Sequence, residues 1–510
     1  MYYSFSHKKC QDLTNYHLVS SGRLSYTIGN LYLPGRPVSP AGPFINQNRL
    51  KENAAMIKAA KSHLEKTLES QQFTYSQLKS MYLTLVLDQF FIVFILVLST
   101  AMVSSTGEAA IAATNMVGSI NGLVSLLFTA VAIGGSIVIA RAKGRGSAHG
   151  VRCAIGETIA LCGLLSLTLS SLLIAFSRPL VLALYPHAEP LLIQYSIHYM
   201  RLIAISFLPY SIFNAIFNAF RSLGDTKSSL LLTIVINGVH FICSFLFINI
   251  FHLGVTGAGL SYITARTIGM ALALVWLLKV HNEYHVGFRH MFHFSRSISR
   301  EISRLAVPIA SESALFQGGM LLVQVFLARL STTELAAHGV ANSVLNLYLC
   351  TGNALTALTS TVCGQCFGAG SHALTRRYCT ALTRVGRAIM LLTVLIMLPL
   401  LPLVLSLYHP SEAALPIVYT CLIITSIGIP LLWCSGYVPP MALRAAGDAT
   451  YTTVVSVVGL FVGRIAVGYL LTIVLGLGVP GVWLGMMVEW LLRTVLFHLR
   501  VRSDRWLRSA

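Results

Sequence analysis

Three carboxylates of this chain stand inside strongly apolar runs: Asp88 in LTLVLDQFFIVF, Glu312 in AVPIASESALFQ and Glu489 in GMMVEWLLR. A charged side chain at the centre of a bilayer costs ~2.5–3.5 kcal/mol even on the lenient insertion scale, so each acid needs a proton, a bound cation or a basic partner. Each option implies a different chemistry. A carboxyl group that takes up and loses a proton can couple a proton gradient to something else, because desolvation raises its pKa and a nearby cation lowers it again. Asp88 and Glu312 stand beside Gln89 and Gln317 and among Phe90, Phe91, Phe94 and Phe316. Aromatic faces with a carboxylate attract organic cations. Asp88, Gln89, Glu312 and Gln317 are therefore candidate coupling and substrate residues, and Phe91, Phe94 and Phe316 candidate cavity aromatics. The alternative is that the acids pair with intramembrane bases, Arg201, Arg266 or Arg464, and that the rings pack or face lipid. Glu489 with Arg464 reads as a structural ion pair, and the lone His338 as a packing residue.

The elements that carry these residues follow from composition. The 510 residues are 55% hydrophobic and only 10% charged, with mean hydropathy +0.72. Such values belong to a polytopic membrane protein. Runs of about 20 apolar residues, enough to cross the hydrocarbon as helix, fall near 82–104, 114–140, 154–176, 194–219, 229–251, 256–278, 305–328, 338–363, 388–405, 415–442, 452–475 and 479–499. The expected fold is all-α with twelve transmembrane helices. No phosphate-binding G-x-x-x-x-G-K-[ST] loop, no H-E-x-x-H and no nucleophile elbow occurs, so neither a nucleotide site nor a hydrolase centre is encoded. No cofactor or metal is expected. Cys363 and Cys366 form a C-x-x-C pair without the βαβ setting of a redox motif, which reads as chance.

Lys and Arg on short loops stay cytoplasmic, and here they alternate sharply. Arg141, Lys143, Arg145 and Arg152, Arg221 and Lys227, Lys279 to Arg304, Arg376 to Arg387 and Arg444 follow even-numbered spans. Arg493, Arg500, Arg502, Arg505 and Arg508 close the chain, while only Arg178 and Arg329 fall on the opposite side. Both termini are expected in the cytoplasm, and topology accounts for most of the +19 net charge without nucleic acid. The expected organisation is a polar extension over 1–75, a first six-helix half over 76–280, a linker over 281–304, a second half over 305–500 and a basic tail over 501–510. Residues 1–55 read as a disordered tail, or as an extension ahead of a later start at Met56, with no signal peptide visible.

The chain repeats itself. Asp88 and Glu312, Ile111-Ala-Ala and Leu335-Ala-Ala, Gly144-x-Gly146-Ser147 and Gly368-x-Gly370-Ser371, and Gly254-Val255-x-Gly257 and Gly478-Val479-x-Gly481 all stand 224 residues apart. The corners FRSLGDT, with Arg221 and Asp225, and LRAAGDA, with Arg444 and Asp448, lie 223 apart. At each corner Gly would end one helix and Asp cap the next, with the Arg at the headgroups; the sharper reading is a gating contact to the other half. Six spans per half make the repeat parallel, two halves that rock around a central cavity, an architecture suited to alternating access.

The stretches FTYSQLKSMYLTLVLDQFF, GEAAIAATNMVGSIN, FRSLGDTK, ELAAHGVANSV, CGQCFGAGS and MALRAAGDATYTTVVSVVGLFVGRIAVGYLL with GVPGVWLGM resemble the multidrug and toxic compound extrusion (MATE) transporters of bacterial type, over about residues 73 to 500. The resemblance implies a twelve-helix cavity and ion-coupled export of cationic amphipathic drugs or metabolites; the expected coupling ion is H⁺ or Na⁺, the expected location the cytoplasmic membrane and the expected state a monomer. Where many relatives carry an Asp before a Thr, this chain has Ser99 and Thr100; where a Glu is frequent in the seventh helix it has Phe316, with Glu312 one turn earlier. A lipid-linked oligosaccharide flippase of the wider superfamily, or a polytopic membrane enzyme, are the other readings.

Overall fold

The computed structural model describes residue 62 and residues 65–507, except 104–107, 185, 187–188, 281, 292–293 and 409, with the side chains from 95 to 111 outside the description. Most of the polar extension, and the side chains of Ser99 and Thr100, lie outside the described residues. Ser62–Ala510 is one compact unit.

Twelve long helices follow the expected spans. They are α1 (Tyr75–Val103), α2 (Glu108–Gly144), α3 (Ala148–Ala175), α4 (Pro190–Ile205 with Phe207–Ser222, bent by 42°), α5 (Thr226–Ile250), α6 (Gly254–Val280), α7 (Arg296–Leu327), α8 (Thr332–Gly368), α9 (His372–Ser406), α10 (Leu415–Ala445), α11 (Ala449–Val474) and α12 (Val479–Arg502). Among the described residues, nine are long and apolar enough to cross a membrane, ten with the bent pair; α1 and α8, of 29 and 37 residues, complete the twelve. No strand occurs among the described residues. Local signals set the ends. Ser147 accepts a hydrogen bond from the Gly150 amide at the start of α3, and Ser331 and Glu334 form a capping box on α8. The bend in α4 falls at Ser206, whose hydroxyl donates back to the Ile203 carbonyl.

The two Gly-Asp corners close their helices as left-handed turns, Gly224 at φ +81° and Gly447 at φ +97°. Asp225 then caps α5 by accepting from the Ser228 amide. Asp448 does not cap α11 through its side chain; its Oδ2 accepts from Arg500 Nε at 2.7 Å. α7 begins at Arg296, inside the stretch expected as linker.

The halves meet at the end where the basic loops gather. A Cβ added to Gly144 of α2 would stand 2.0 Å from the Gln365 carbonyl oxygen of α8, and one added to Gly368 of α8 would stand 2.1 Å from the Arg141 carbonyl oxygen of α2. Gly368 and Gln365 are the 224-residue counterparts of Gly144 and Arg141, so one contact is made twice about the pseudo-two-fold axis. The repeated Gly-x-Gly-Ser signature is thus a backbone crossing, in which only hydrogen fits, followed by a turn at Gly146 and Gly370 (φ +69° and +75°). Gly144→Ala or Gly368→Ala should wedge this face open. Spin labels at His149 and Ala373, both exposed counterparts on the same face, should report a longer and broader distance than in the parent, and an unchanged distribution would show that the crossing does not set the closure.

Candidate transport site

Each repeat-mate acid reaches the arginine of its own half's corner. Asp88, fully buried on α1, pairs with Arg221 at the end of α4. Glu312 on α7 pairs with Arg444 at the end of α10, and Thr453 Oγ1 adds a hydrogen bond to Glu312 Oε2 at 3.4 Å. The corner arginines are therefore drawn into the helix bundle and do not rest at the headgroups. The physical reason is that a carboxylate inside a span needs a compensating charge, and the corner arginine supplies it through one charge-assisted contact. Arg221 also lies 4.2 Å from the Phe217 ring centroid. Asp88 Oδ1 and Arg221 Nε are buried without a hydrogen-bond partner among the described residues.

The same corners touch the opposite half through their backbone. Thr361 Oγ1 of α8 donates to the Arg221 carbonyl at 3.0 Å, and Gln365 Nε2 donates to the Ser222 carbonyl at 2.8 Å. In the symmetric sense, Arg141 of α2 donates through Nε to the Ala445 carbonyl at 2.8 Å and pairs with Glu301 at 3.0 Å. Lys143 Nζ caps the Leu223 carbonyl. The corners thus both end helices and touch the opposite half through backbone carbonyls.

In the second half the charges form a chain. Arg464 Nε lies 2.7 Å from Glu489 Oε2, an ion pair by distance that lacks hydrogen-bond alignment. Tyr437 OH donates to Glu489 Oε1 at 3.3 Å. Arg493 bridges, with Nη2 3.6 Å from Glu312 and Nε 3.7 Å from Glu489. Arg444, Glu312, Arg493, Glu489 and Arg464 are therefore continuous, three cations to two anions. The expected Glu489 and Arg464 pair is brought together. Arg493, expected among the cytoplasmic charges, is instead only 3% exposed in α12; its signal was the four-residue spacing from Glu489, one helical turn.

The other expected partners behave differently. Among the described residues Arg201 Nε donates to Ser177 Oγ at 3.0 Å and reaches no acid, and Arg266 contacts only neutral groups. Phe91 and Phe94 are exposed, 39% and 60%. Phe316 is half-buried with Arg464 5.7 Å from its ring centroid. Gln89 and Gln317 make no hydrogen bond among the described residues. The structure therefore does not present a bare carboxylate framed by aromatic rings, because Arg221 and Arg444 already occupy the acids. His338 accepts from Trp483 Nε1 at 3.2 Å and packs edge-on against that ring. Cys363 and Cys366 are free and buried.

The family model MatE matches residues 85–246 and again 308–470, two stretches that begin 223 residues apart. The uncharacterized transporter YisQ of Bacillus subtilis is 22% identical over 421 residues, 80% of this chain and 90% of the relative. The probable multidrug resistance protein NorM of Thermotoga maritima is 23% identical over 400 residues, 76% and 83% of the two chains. Among solved structures, a MOP superfamily transporter from Pyrococcus furiosus superposes with TM-score 0.77 at 17% identity, over 85% of this chain and 96% of the other. An outward-facing multidrug resistance transporter of the same superfamily gives 0.75 at 16% identity, over 84% and 96%.

Proposed function

This chain belongs to the MatE family, a family of transporters and not of enzymes, and from that premise we propose that it exports amphipathic organic compounds across the cytoplasmic membrane in exchange for protons. The observation that carries the coupling is the doubled latch: in each half an acid, Asp88 or Glu312, grips the corner arginine, and carbonyls of that corner, Arg221 and Ser222 in one half and Ala445 in the other, accept hydrogen bonds from the opposite half at the basic face. A proton and the arginine compete for the same carboxylate. Protonation of Asp88 at the unpartnered Oδ1 weakens its pair, frees the Arg221 corner and loosens the Thr361 and Gln365 contacts, and protonation of Glu312 does the same to the Arg444 corner and the Arg141 contact at Ala445. The basic face then opens to the cytoplasm, the proton leaves, and the arginine regains its acid. The substrate is carried the other way by the same rocking of the halves.

The guanidinium at each acid favours the proton over sodium as coupling ion. Sodium is a hard cation that needs several oxygen ligands, and an arginine in the ligand position repels it. The same neutralisation removes the bare carboxylate on which the expectation of an organic cation rested, so substrate charge has to be read from elsewhere in the cavity.

Everted vesicles given external dansylated amphiphiles of either charge test this reading. Uptake into everted vesicles, equivalent to export from the cell, should stop when the proton gradient is collapsed with nigericin and persist when the sodium gradient alone is removed. Dependence on sodium, or transport only in the opposite direction, would contradict it.

A further inference from the structure

Arg266 of α6 is a buried cation that no acid reaches among the described residues. It stands twelve residues into a helix that runs Gly254–Val280, so ~18 Å from that helix end, far below the level of lipid headgroups. Nη1 donates to Ser206 Oγ at 2.7 Å, at the bend of α4, and Nη2 reaches Asn121 Oδ1 of α2 at 3.5 Å. Its Cζ lies 4.3 Å from the Tyr210 ring centroid and 4.9 Å from that of Tyr262. A guanidinium carries five N–H donors; these two neutral oxygens and two ring faces leave most of its donor capacity unused and, among the described residues, no anion opposite its charge. The His240 ring of α5 lies 4.4 Å from that of Tyr262, tilted by 45°, and its Nε2 is buried without a hydrogen-bond partner among the described residues.

The surroundings are open. Asn121, Tyr210, His240 and Tyr262 are each only half-buried. Gly118 and Gly122 of α2, beside Asn121, would each point an added Cβ into free space. The repeat sharpens the point. At 224 residues' distance Asn121, Tyr262 and Arg266 correspond to Leu345, Met486 and Trp490, which are 5%, 6% and 1% exposed. The second half fills this position with packed apolar side chains and pairs its arginines with acids; the first half keeps a polar, half-open site around an unpaired arginine.

We propose that Arg266, flanked by Tyr210 and Tyr262, binds the carboxylate of an amphipathic organic anion inside the first half, and that such anions are the substrate class. This rests on the export reading above and names what is exported. A planar guanidinium matches a carboxylate in two-point geometry. The tyrosine faces and the open glycine face of α2 accept the apolar body of the ligand, and the site needs the ligand's charge because the protein supplies none.

The test is equilibrium binding in phosphatidylcholine nanodiscs, without any gradient, using dansylglycine, its methyl ester and dansyl-ethylenediamine. Dansylglycine should bind at least about tenfold tighter than the ester, and the ammonium probe weakest. Arg266→Gln should abolish that preference while leaving the ester unchanged, and Arg266→Lys, which keeps the charge and loses the fork, should fall between. Because no acid is stranded, Arg266→Gln should melt no lower than the parent. Failure of the carboxylate probe to bind, preference for the ammonium probe, or indifference of all three to Arg266→Gln overturns the proposal; loss of folded Arg266→Gln with Arg266→Lys binding no differently from the parent does so as well. If adding anionic phosphatidylglycerol displaces dansylglycine completely, the site belongs to lipid phosphate and the substrate assignment falls. Carboxylate-selective binding without gradient-driven transport would leave this proposal standing and remove the export reading instead.

Discussion

Replacing Glu489 with Gln should destabilise the protein by ~3–5 kcal/mol, the range for breaking a buried ion pair from one side. Glu489 is fully buried and faces both Arg464 and Arg493. Without its charge, Arg464 keeps, among the described residues, the Met320 sulfur at 3.4 Å and the Phe316 ring. The helices leave no room to rearrange: a Cβ added to Gly463 of α11 would lie 2.5 Å from the Glu489 amide nitrogen, so α11 and α12 are in backbone contact at this level. Detergent melting and membrane yield should both drop. Adding Arg464→Gln should restore most of the loss, because Arg493 retains Glu312 and no charge is then stranded. Unchanged melting of the single variant would show that this pair is not structural.

The second large effect concerns coupling. Asp88→Asn and Glu312→Gln keep size and hydrogen bonding while removing the titration, and each frees a corner arginine permanently. Gradient-driven export should fall to the level of protein-free vesicles in the double variant, with the basic face held more open. The purely structural alternative makes a different forecast: loss of folded protein on the scale given for Glu489. Two features favour the coupling outcome. Arg221 keeps the Phe217 face when Asp88 is neutral, and Arg444 keeps Thr452 at 3.0 Å. Melting temperature and transport measured on the same preparations therefore separate the readings.

Much of this was legible in the sequence because membrane helices need long apolar runs and because the repeat is nearly constant in spacing. The twelve spans, the doubled acids and the Glu489 and Arg464 pairing all follow from those two signals. The direction of Arg221 and Arg444 does not. An arginine at the last turn of a span can reach outward to phosphates or inward to a carboxylate, and its partner here is 133 residues away in one half and 132 in the other. Arg493 was misread for a related reason: counting basic residues near a terminus ignores which face of the helix they occupy. The meaning of Gly144 and Gly368 also needed coordinates, since a repeated glycine signals close approach without saying to what. The unpaired state of Arg266 is a statement about every neighbour at once, and no spacing rule supplies that.

The most direct test of the doubled latch is proton movement itself. In proteoliposomes containing a pH-sensitive dye, with no imposed gradient, adding a transported dansylated amphiphile on one side should drive protons in the opposite direction with the parent protein. The Asp88→Asn, Glu312→Gln double variant, folded and still binding the probe, should move none. Proton movement that persists at the parent rate in that variant would contradict the account and place the coupling site elsewhere in the chain.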